Sequence, residues 1–440
     1  MLKLMRRSTA TAIGSAFWLL SAMPCGWALD WSDSLAEHGV GLNNLVRVQA
    51  DFSRSAPSDG FFNPGNQLAQ SNEAEFNLEL RPDFSLSYRE FELMLKPRLK
   101  FAWERVDTSE RAFDRDERSA FVNEWRLRWA PRERWFLSYG REVLLWGPAM
   151  LLSPSNPFFT DNGRSNPFRE LGGRDYLQVL YLPNASWTIS LISNTAQGRG
   201  DDGTGIPDFE RTDAIKIDFV GKNSNGGLLF SHRQEGVSQV GGYFQLTLSD
   251  ALLAYAEGGY TRGTTALYPR RSAAPSGWVF ADAKQDDRAL YGVSLIGAAY
   301  TFESGATANV EYLHNSAGYS DQEARDYFDM VEQLGADFIR RDFAAVLLLA
   351  EAANLRMPLL RRNYLFVQWL DTNINNQLDM TLRYTRNLDD DSGRFVAVFD
   401  WAINDFTHLF ALGLVSHGGE RSEFRRYLDR QWLVGFNLTF

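Results

Sequence analysis

The chain has 440 residues, 45 Lys and Arg against 55 Asp and Glu, and a formal net charge of -10, so no basic excess supports nucleic-acid binding. Hydrophobic types reach 44% and aromatic types 14%, yet past the N-terminus no apolar run is long enough for a membrane-crossing helix. A single cysteine excludes a disulfide framework and a Cys-based metal site.

Residues 1–28 read as a secretory signal. Lys3, Arg6 and Arg7 supply its positive region, 9–23 is largely apolar, and Gly26-Trp27-Ala28 offers a cleavage site. Cys25 would leave with it, and Pro24 before that cysteine argues against a lipoprotein signal. Losing three positive charges takes the net charge from -10 to -13. Residues 29–440 are then expected to form one barrel.

A first strand is expected over 39–52, followed by a Ser, Pro and Gly-rich loop. Residues 74–88 place Phe76, Leu78, Leu80, Phe84, Leu86 and Tyr88 on one face, against Glu75, Asn77, Glu79, Arg81 and Asp83 on the other. In 90–104 the alternation recurs, with Phe91, Leu93, Leu95, Pro97, Leu99, Phe101 and Trp103 opposite Glu90, Glu92, Lys96, Arg98, Lys100 and Glu104. Such length exceeds the roughly five or six residues of a soluble strand, and the two opposed faces suit a barrel wall between lipid and water. A charged loop is expected over 106–118. The strand 120–130 then carries Phe121, Trp125, Leu127 and Trp129 against Glu124, Arg126 and Arg128.

After a strand at 134–141 comes the long segment 142–174. Strand pairs follow at 175–182 with 186–194, 212–220 with 227–233, 237–248 with 251–262, and 288–302 with 305–315. Beyond these lie 363–370 with 377–388, 394–403 with 406–416, and a final strand at 430–440. The expected fold is all-β, a closed antiparallel transmembrane β-barrel of about eighteen strands, within sixteen to twenty. Short and long connections alternate, as they should if long loops face outward; Gln234-Glu235-Gly236 is a short exception. Acidic clusters at Asp201-Asp202, Asp286-Asp287 and Asp389 to Asp391 fall in the long-loop set. They read as solvated loops, or as sites where divalent cations bridge to anionic lipid.

Segment 320–360 departs from strand periodicity. Ser320 and Glu323 have capping-box spacing, and Ala324, Tyr327, Phe328, Val331 and Leu334 recur at helical intervals. A short helical insert in an outer loop is expected, with a second helix from Phe343; an extra strand pair is the alternative.

Two stretches are candidate functional sites. Strands lie about 4.8 Å apart, so pore-lining Arg81, Lys96, Arg98, Lys100, Arg126 and Arg128 should share one patch with Glu124 and other carboxylates. That patch reads as a mutually paired network stiffening the wall, or as an electropositive zone drawing anions. In 142–174, Ser155-Asn156-Pro157-Phe158 recurs ten residues later as Ser165-Asn166-Pro167-Phe168. Long loops in compact domains are usually functional or disordered, and Leu144, Trp146, Phe158, Phe159 and Phe168 argue against disorder. The segment is expected to fold into the bore as a constriction loop, with Trp146, Asn156, Phe158, Asn166 and Phe168 shaping it; a lid above the rim is the alternative. Arg164, Arg169 and Arg174 would complete an anion path.

The terminal strand, with Trp432, Val434, Phe436, Leu438 and Phe440 on one face, resembles the C-terminal assembly signal of Gram-negative outer-membrane proteins. That resemblance implies outer-membrane lipid and the barrel-assembly machinery, engaged through Phe440, as partners. Gly140-Arg141-Glu142, Trp146-Gly147-Pro148 and Ser153 to Phe158 resemble a segment of porin-like barrels and, faintly, of capsule-attachment barrels; an Arg-lined barrel is also similar to alginate exporters. These resemblances cover about twenty residues. They imply a small hydrophilic solute or a polysaccharide as ligand. Five scattered histidines lack metal-pair spacing and no G-x-S-x-G motif occurs, so neither enzyme activity, a metal nor a cofactor is expected. The expectation is a diffusion channel for hydrophilic, anionic solutes, with an occluded polysaccharide-binding or exporting barrel as the rival.

Overall fold

The structure, a computed structural model, describes residues 40–199, 209–234, 236–274, 276–340 and 342–440. The signal segment, Cys25, Asp201-Asp202 and Glu235 lie outside the described residues.

The wall begins with β1 (Val40–Pro57), β2 (Asn72–Tyr88), β3 (Phe91–Asp107), β4 (Ala112–Arg132), β5 (Trp135–Glu142) and β6 (Arg174–Asn184). It continues through β7 (Trp187–Ala196), β8 (Thr212–Val220), β9 (Ser224–Arg233), β10 (Ser238–Thr247) and β11 (Leu252–Arg262). A separate hairpin, β12 (Tyr268–Arg271) with β13 (Trp278–Ala281), precedes β14 (Leu290–Thr301) and β15 (Thr307–Asn315). Helices α1 (Asp321–Ile339) and α2 (Phe343–Ala353) come next, then β16 (Asn363–Ile374), β17 (Leu378–Asn387), β18 (Gly393–Asn404), β19 (Thr407–His417) and β20 (Leu428–Thr439).

Eighteen of these strands form one antiparallel sheet, and β1 pairs with both β2 and β20. The sheet therefore closes and has no edge. Eighteen staves at about 4.8 Å spacing, tilted by roughly 40°, enclose a bore about 35 Å across between backbones. Side chains alone cannot fill that width, so the inserted segments decide what space remains.

Outward positions are apolar and unpartnered: Leu228 is 70% exposed, Leu290 69% and Ile296 62%. A soluble protein rarely exposes a continuous apolar surface of this extent, whereas a lipid-facing belt requires one. Near the short turns the belt ends in aromatics, where Phe91 stacks on Trp129 and Trp135 on Tyr181.

Two expectations for β3 and β4 need correction. Most of 106–118 is strand: the ladder runs on through Phe101–Arg118 and Arg105–Asp114 to Asp107–Ala112. Charge alone misled there, because the hairpin projects past the apolar belt and its outer face no longer needs to be greasy. Phe121 also lies on the inner face. Lys96 pairs with Glu124 but Pro97 with Val122, which leaves Asn123 as an extra residue. Such a bulge flips the alternation beyond it, turning Phe121 inward and Val122 outward.

The long loops build a cap. Ser320 and Glu323 close a reciprocal capping box at the start of α1, and the buried face of that helix carries Ala324, Tyr327, Phe328, Val331 and Leu334. Against it pack Phe62 from the β1–β2 loop, Tyr268 and Trp278 from the small hairpin, Leu349 of α2 and Leu355. Asp389 accepts from the backbone of Arg362 and Asn363, and Asp390 accepts from Glu423 N. Two members of that acidic cluster thus tie loops together at the rim.

The cap has its own core, separate from the wall. Replacing the fully buried Tyr327 by Ala should cost the cap about 3–5 kcal/mol. Limited proteolysis should then cut within the cap loops while the unheated barrel still migrates as a folded species on electrophoresis. An unchanged digestion pattern would contradict a separate cap core.

Candidate functional site

Between β5 and β6 the chain leaves the wall and crosses the bore. Its two Ser-Asn-Pro-Phe repeats fold alike. The Asn156 side-chain oxygen accepts from Phe158 N and Phe159 N, and that of Asn166 accepts from Phe168 N. Proline removes one donor and disfavours a helical residue before it, so each Asn closes a tight side-chain turn that aims its Phe away from the loop. Phe158 enters an inner-wall recess formed by Tyr176, Ile192, Ala214 and Leu229 on β6 to β9, with Trp146 edge-on beside it. Phe168 stacks on Phe410 at 4.0 Å, among Val396, Val398 and Leu412 on β18 and β19. The two recesses lie on opposite sides of the barrel.

Two wall carboxylates hold the loop between these anchors. Glu257 on β11, 3% exposed, accepts from Ala149 N, Ser155 N and Ser155 Oγ, the last at 2.7 Å. Glu311 on β15, fully buried, accepts from Met150 N at 2.6 Å, Leu151 N at 3.0 Å and the Tyr255 hydroxyl at 2.8 Å. Neither has an ion-pair partner among the described residues. Gly147 makes the approach possible: its φ is +86°, and a Cβ there would stand 2.2 Å from Glu257.

A third hold lies on β2 to β4. Pro82 and Pro97 interrupt the ladder between β2 and β3, because proline has no N–H to give. Arg98 fills that gap: it donates to Pro82 O and Pro97 O and forms ion pairs with Asp83 at 2.8 Å and Glu170 at 2.7 Å. Arg81 and Gln49 donate to Phe168 O, and Asn123, the bulge residue, donates to Leu171 O. Burial pushes the Glu170 carboxyl up, but the Arg98 hydrogen bond and the Arg81, Arg98 and Arg47 charges outweigh it and hold the carboxyl below its usual range.

The expected basic patch is therefore distributed. Lys96 pairs with Glu124 at 2.8 Å, Arg126 with Glu92 and Glu142 at 2.6 and 2.9 Å, Arg128 with Glu92 at 3.6 Å, and Arg81 with Glu79 at 2.6 Å. Lys100 has no ion pair among the described residues and lines a cavity of about 360 Å³ with Asp51, Asn77 and Glu170 on the long-loop side of the insert. Of the loop arginines, Arg169 pairs with Asp161 and Arg174 lies over the Phe159 ring at the loop root. Arg164 instead donates to Ala149 O at 2.7 Å and borders a cavity of about 540 Å³ on the short-turn side, with Tyr255, Asn309 and Gln368. Arg383 on β17 lies near Arg164 and donates to Gln368. Neither arginine forms an ion pair among the described residues, and the buried Glu311 carboxylate is the counter-charge that acts on both.

Glu257, Glu311 and Arg383 escaped the sequence reading. Their signal was a lone charged residue on the inner face of a strand whose neighbours are small or apolar, as in Ala256-Glu257-Gly258 and Val310-Glu311-Tyr312.

Replacing Glu257 or Glu311 by Gln turns one acceptor oxygen into a donor facing the N–H groups of the loop, which costs about 1–3 kcal/mol for each donor left unsatisfied. Each variant reconstituted in a planar bilayer should show larger or noisier conductance than the parent; identical traces would mean the loop is held by its phenylalanines alone. Because the Glu170 pKa is depressed, its contribution is full above the unfolded carboxylate value and is lost as pH falls through the folded one. Loop fluctuations should therefore increase below about pH 4, and Glu170→Gln should show that behaviour already at pH 7.

No protein-family model matches the chain, and no curated protein matches it in sequence. Solved structures do resemble it. Acinetobacter baumannii OccAB1 has a TM-score of 0.55 at 11% identity, covering 91% of this chain and 96% of that one. Pseudomonas aeruginosa OccK5 (OpdH) has 0.51 at 6%, covering 91% and 98%, and Pseudomonas aeruginosa OccK11 (OpdR) has 0.50 at 10%, covering 91% and 96%. At such identities the likeness establishes the fold, a closed eighteen-strand porin-like barrel.

Proposed function

We propose that the chain is an outer-membrane channel that passes small hydrophilic solutes by diffusion and favours anions. The apolar belt and the alternation of long and short connections support the outer membrane of a Gram-negative cell as its site. One observation carries the anionic preference: Arg164 on the insert and Arg383 on the wall lie near each other, neither in an ion pair among the described residues, and the one buried carboxylate that acts on both, Glu311, offsets only one of the two positive charges. A low-dielectric wall strengthens the field of such charges at the narrowest part of a pore. Lys100 would add to it at the long-loop side. Lys96, Arg98, Arg126 and Arg128, neutralised by their partners, would chiefly stiffen the wall.

Planar-bilayer recording tests this reading. The expected result is stable conductance with anion preference, which moves toward unity in Arg164→Gln and Arg383→Gln but persists in Lys96→Gln. Cation preference would sink the anionic bias. Absence of conductance would favour the second reading, an occluded barrel that binds or exports a surface polysaccharide; the apolar seating of Phe158 and Phe168 on opposite walls supports that rival.

Assembly is the last element of the proposal. Phe440 is 60% exposed on the lipid side, and its backbone exchanges hydrogen bonds with Val46 at the closing seam. It would serve the barrel-assembly machinery as a recognition residue. Deleting Phe440 should lower the amount of assembled barrel in the outer membrane without changing the conductance of the molecules that assemble.

A further inference from the structure

The closing seam carries a feature that passage of solute does not use. Arg54 on β1 lies opposite Trp432 on β20, and Arg430 lies opposite Ala56, two residues before that Trp. Phe52 and Trp432 share the outer face, with ring centroids 5.6 Å apart, and Val415, the β19 partner of Arg430, is 54% exposed on the same face. Strand alternation therefore turns both arginines outward. As diagonal cross-strand neighbours their backbones stand about 7–8 Å apart. Both side chains are exposed, and neither has a hydrogen bond or ion pair among the described residues. They mark the long-loop border of the apolar belt.

Toward the short turns from this pair the lipid-facing wall is hollowed. A groove of about 670 Å³ opens there, with Ala50 and Ala411 among its floor residues and Phe52, Phe76, Trp401 and Val434 along its sides. Its upper end, at Phe52 and Val434, begins two residues below Arg54 and four below Arg430, which is about the depth at which an outer-leaflet acyl chain runs beneath its headgroup.

We propose that this seam binds a phosphorylated acyl lipid of the outer leaflet. The phosphate would bridge Arg54 and Arg430 through charge-assisted hydrogen bonds, and one acyl chain would lie in the groove. Charge complementarity selects this occupant over a second copy of the chain, because a symmetric contact between copies would bring four like charges together at the membrane surface. Nearby on the same outer face, Arg105 is already paired with Asp114 at 3.2 Å, so the phosphate falls to the two unpaired arginines. The inference uses the membrane placement proposed above but not the conduction of solute.

The test uses the full-length barrel in phosphatidylcholine nanodiscs doped with diphosphoryl lipid A, read by native mass spectrometry. The parent should retain the phosphorylated lipid. The double variant R54Q/R430Q should lose it by about tenfold or more, the equivalent of one charge-assisted hydrogen bond, with conductance unchanged. Ala411→Trp, which fills the groove and leaves both arginines, should weaken retention of the full-length lipid but not of a short-chain phosphorylated analogue. Equal retention by parent and R54Q/R430Q would overturn the proposal. So would a parent that elutes as an oligomer whose contact is lost in Ala411→Trp. Failure of the conduction reading would appear separately, as silent bilayers with lipid still retained.

Discussion

Everything inside this barrel depends on how one loop is held across a bore too wide for side chains to fill. Two Asn-Pro-Phe turns hold it at opposite walls, and each converts a local hydrogen bond into a fixed direction for an aromatic ring. Between them, the backbone N–H groups of Ala149, Met150, Leu151 and Ser155 reach the Glu257 and Glu311 carboxylates. The arrangement answers a general requirement: an irregular segment at membrane depth must satisfy its backbone polar groups with protein or water. Here two wall carboxylates do much of it, and the phenylalanines supply the apolar contact that keeps the loop from lifting away.

The same loop determines which charges matter. Six basic residues on β2 to β4 looked like a field directed at the pore, but carboxylates on neighbouring staves and on the loop neutralise most of them. Arg98 is the extreme case, since it is 1% exposed and closes a gap left by two prolines. Removing such a residue would take away the ion pair of Glu170 and leave Asp83 with Arg47 alone, a change that is costly at buried sites. In the proposed channel the remaining positive charge lies with Arg164 on the loop and Arg383 on a distant stave, partly offset by Glu311, and with Lys100. Neither arginine would stand out in a scan for basic runs.

Legibility in the sequence followed the length of the pattern. All eighteen wall strands were readable, because period-2 alternation under a lipid belt is repeated many times and each turn confirms the last. The capping box at Ser320 was readable too, being contained within four residues. Phe121 was not, because one inserted residue at Asn123 reverses a face and leaves no mark in composition. The 106–118 hairpin was obscured for a different reason: strands that continue into water lose the alternation that identifies them. The inner apolar recess on β18 and β19 did leave a trace. His408 to Val415 is greasy on both faces, which in a barrel means that something apolar sits inside.

By itself the sequence determined the class of fold, the stave count and the presence of an inserted loop built on a repeated tetrapeptide. Those properties arise from local geometry repeated along the chain, and alternation with turn residues is enough to specify them. Only the tertiary structure decided which wall each phenylalanine meets, which carboxylates receive the loop backbone and which arginines lack an ion pair among the described residues. Those depend on staves far apart in sequence being brought opposite one another by closure of the sheet, and the chain order of residues such as Arg164 and Arg383, or Arg54 and Arg430, carries no record of that proximity.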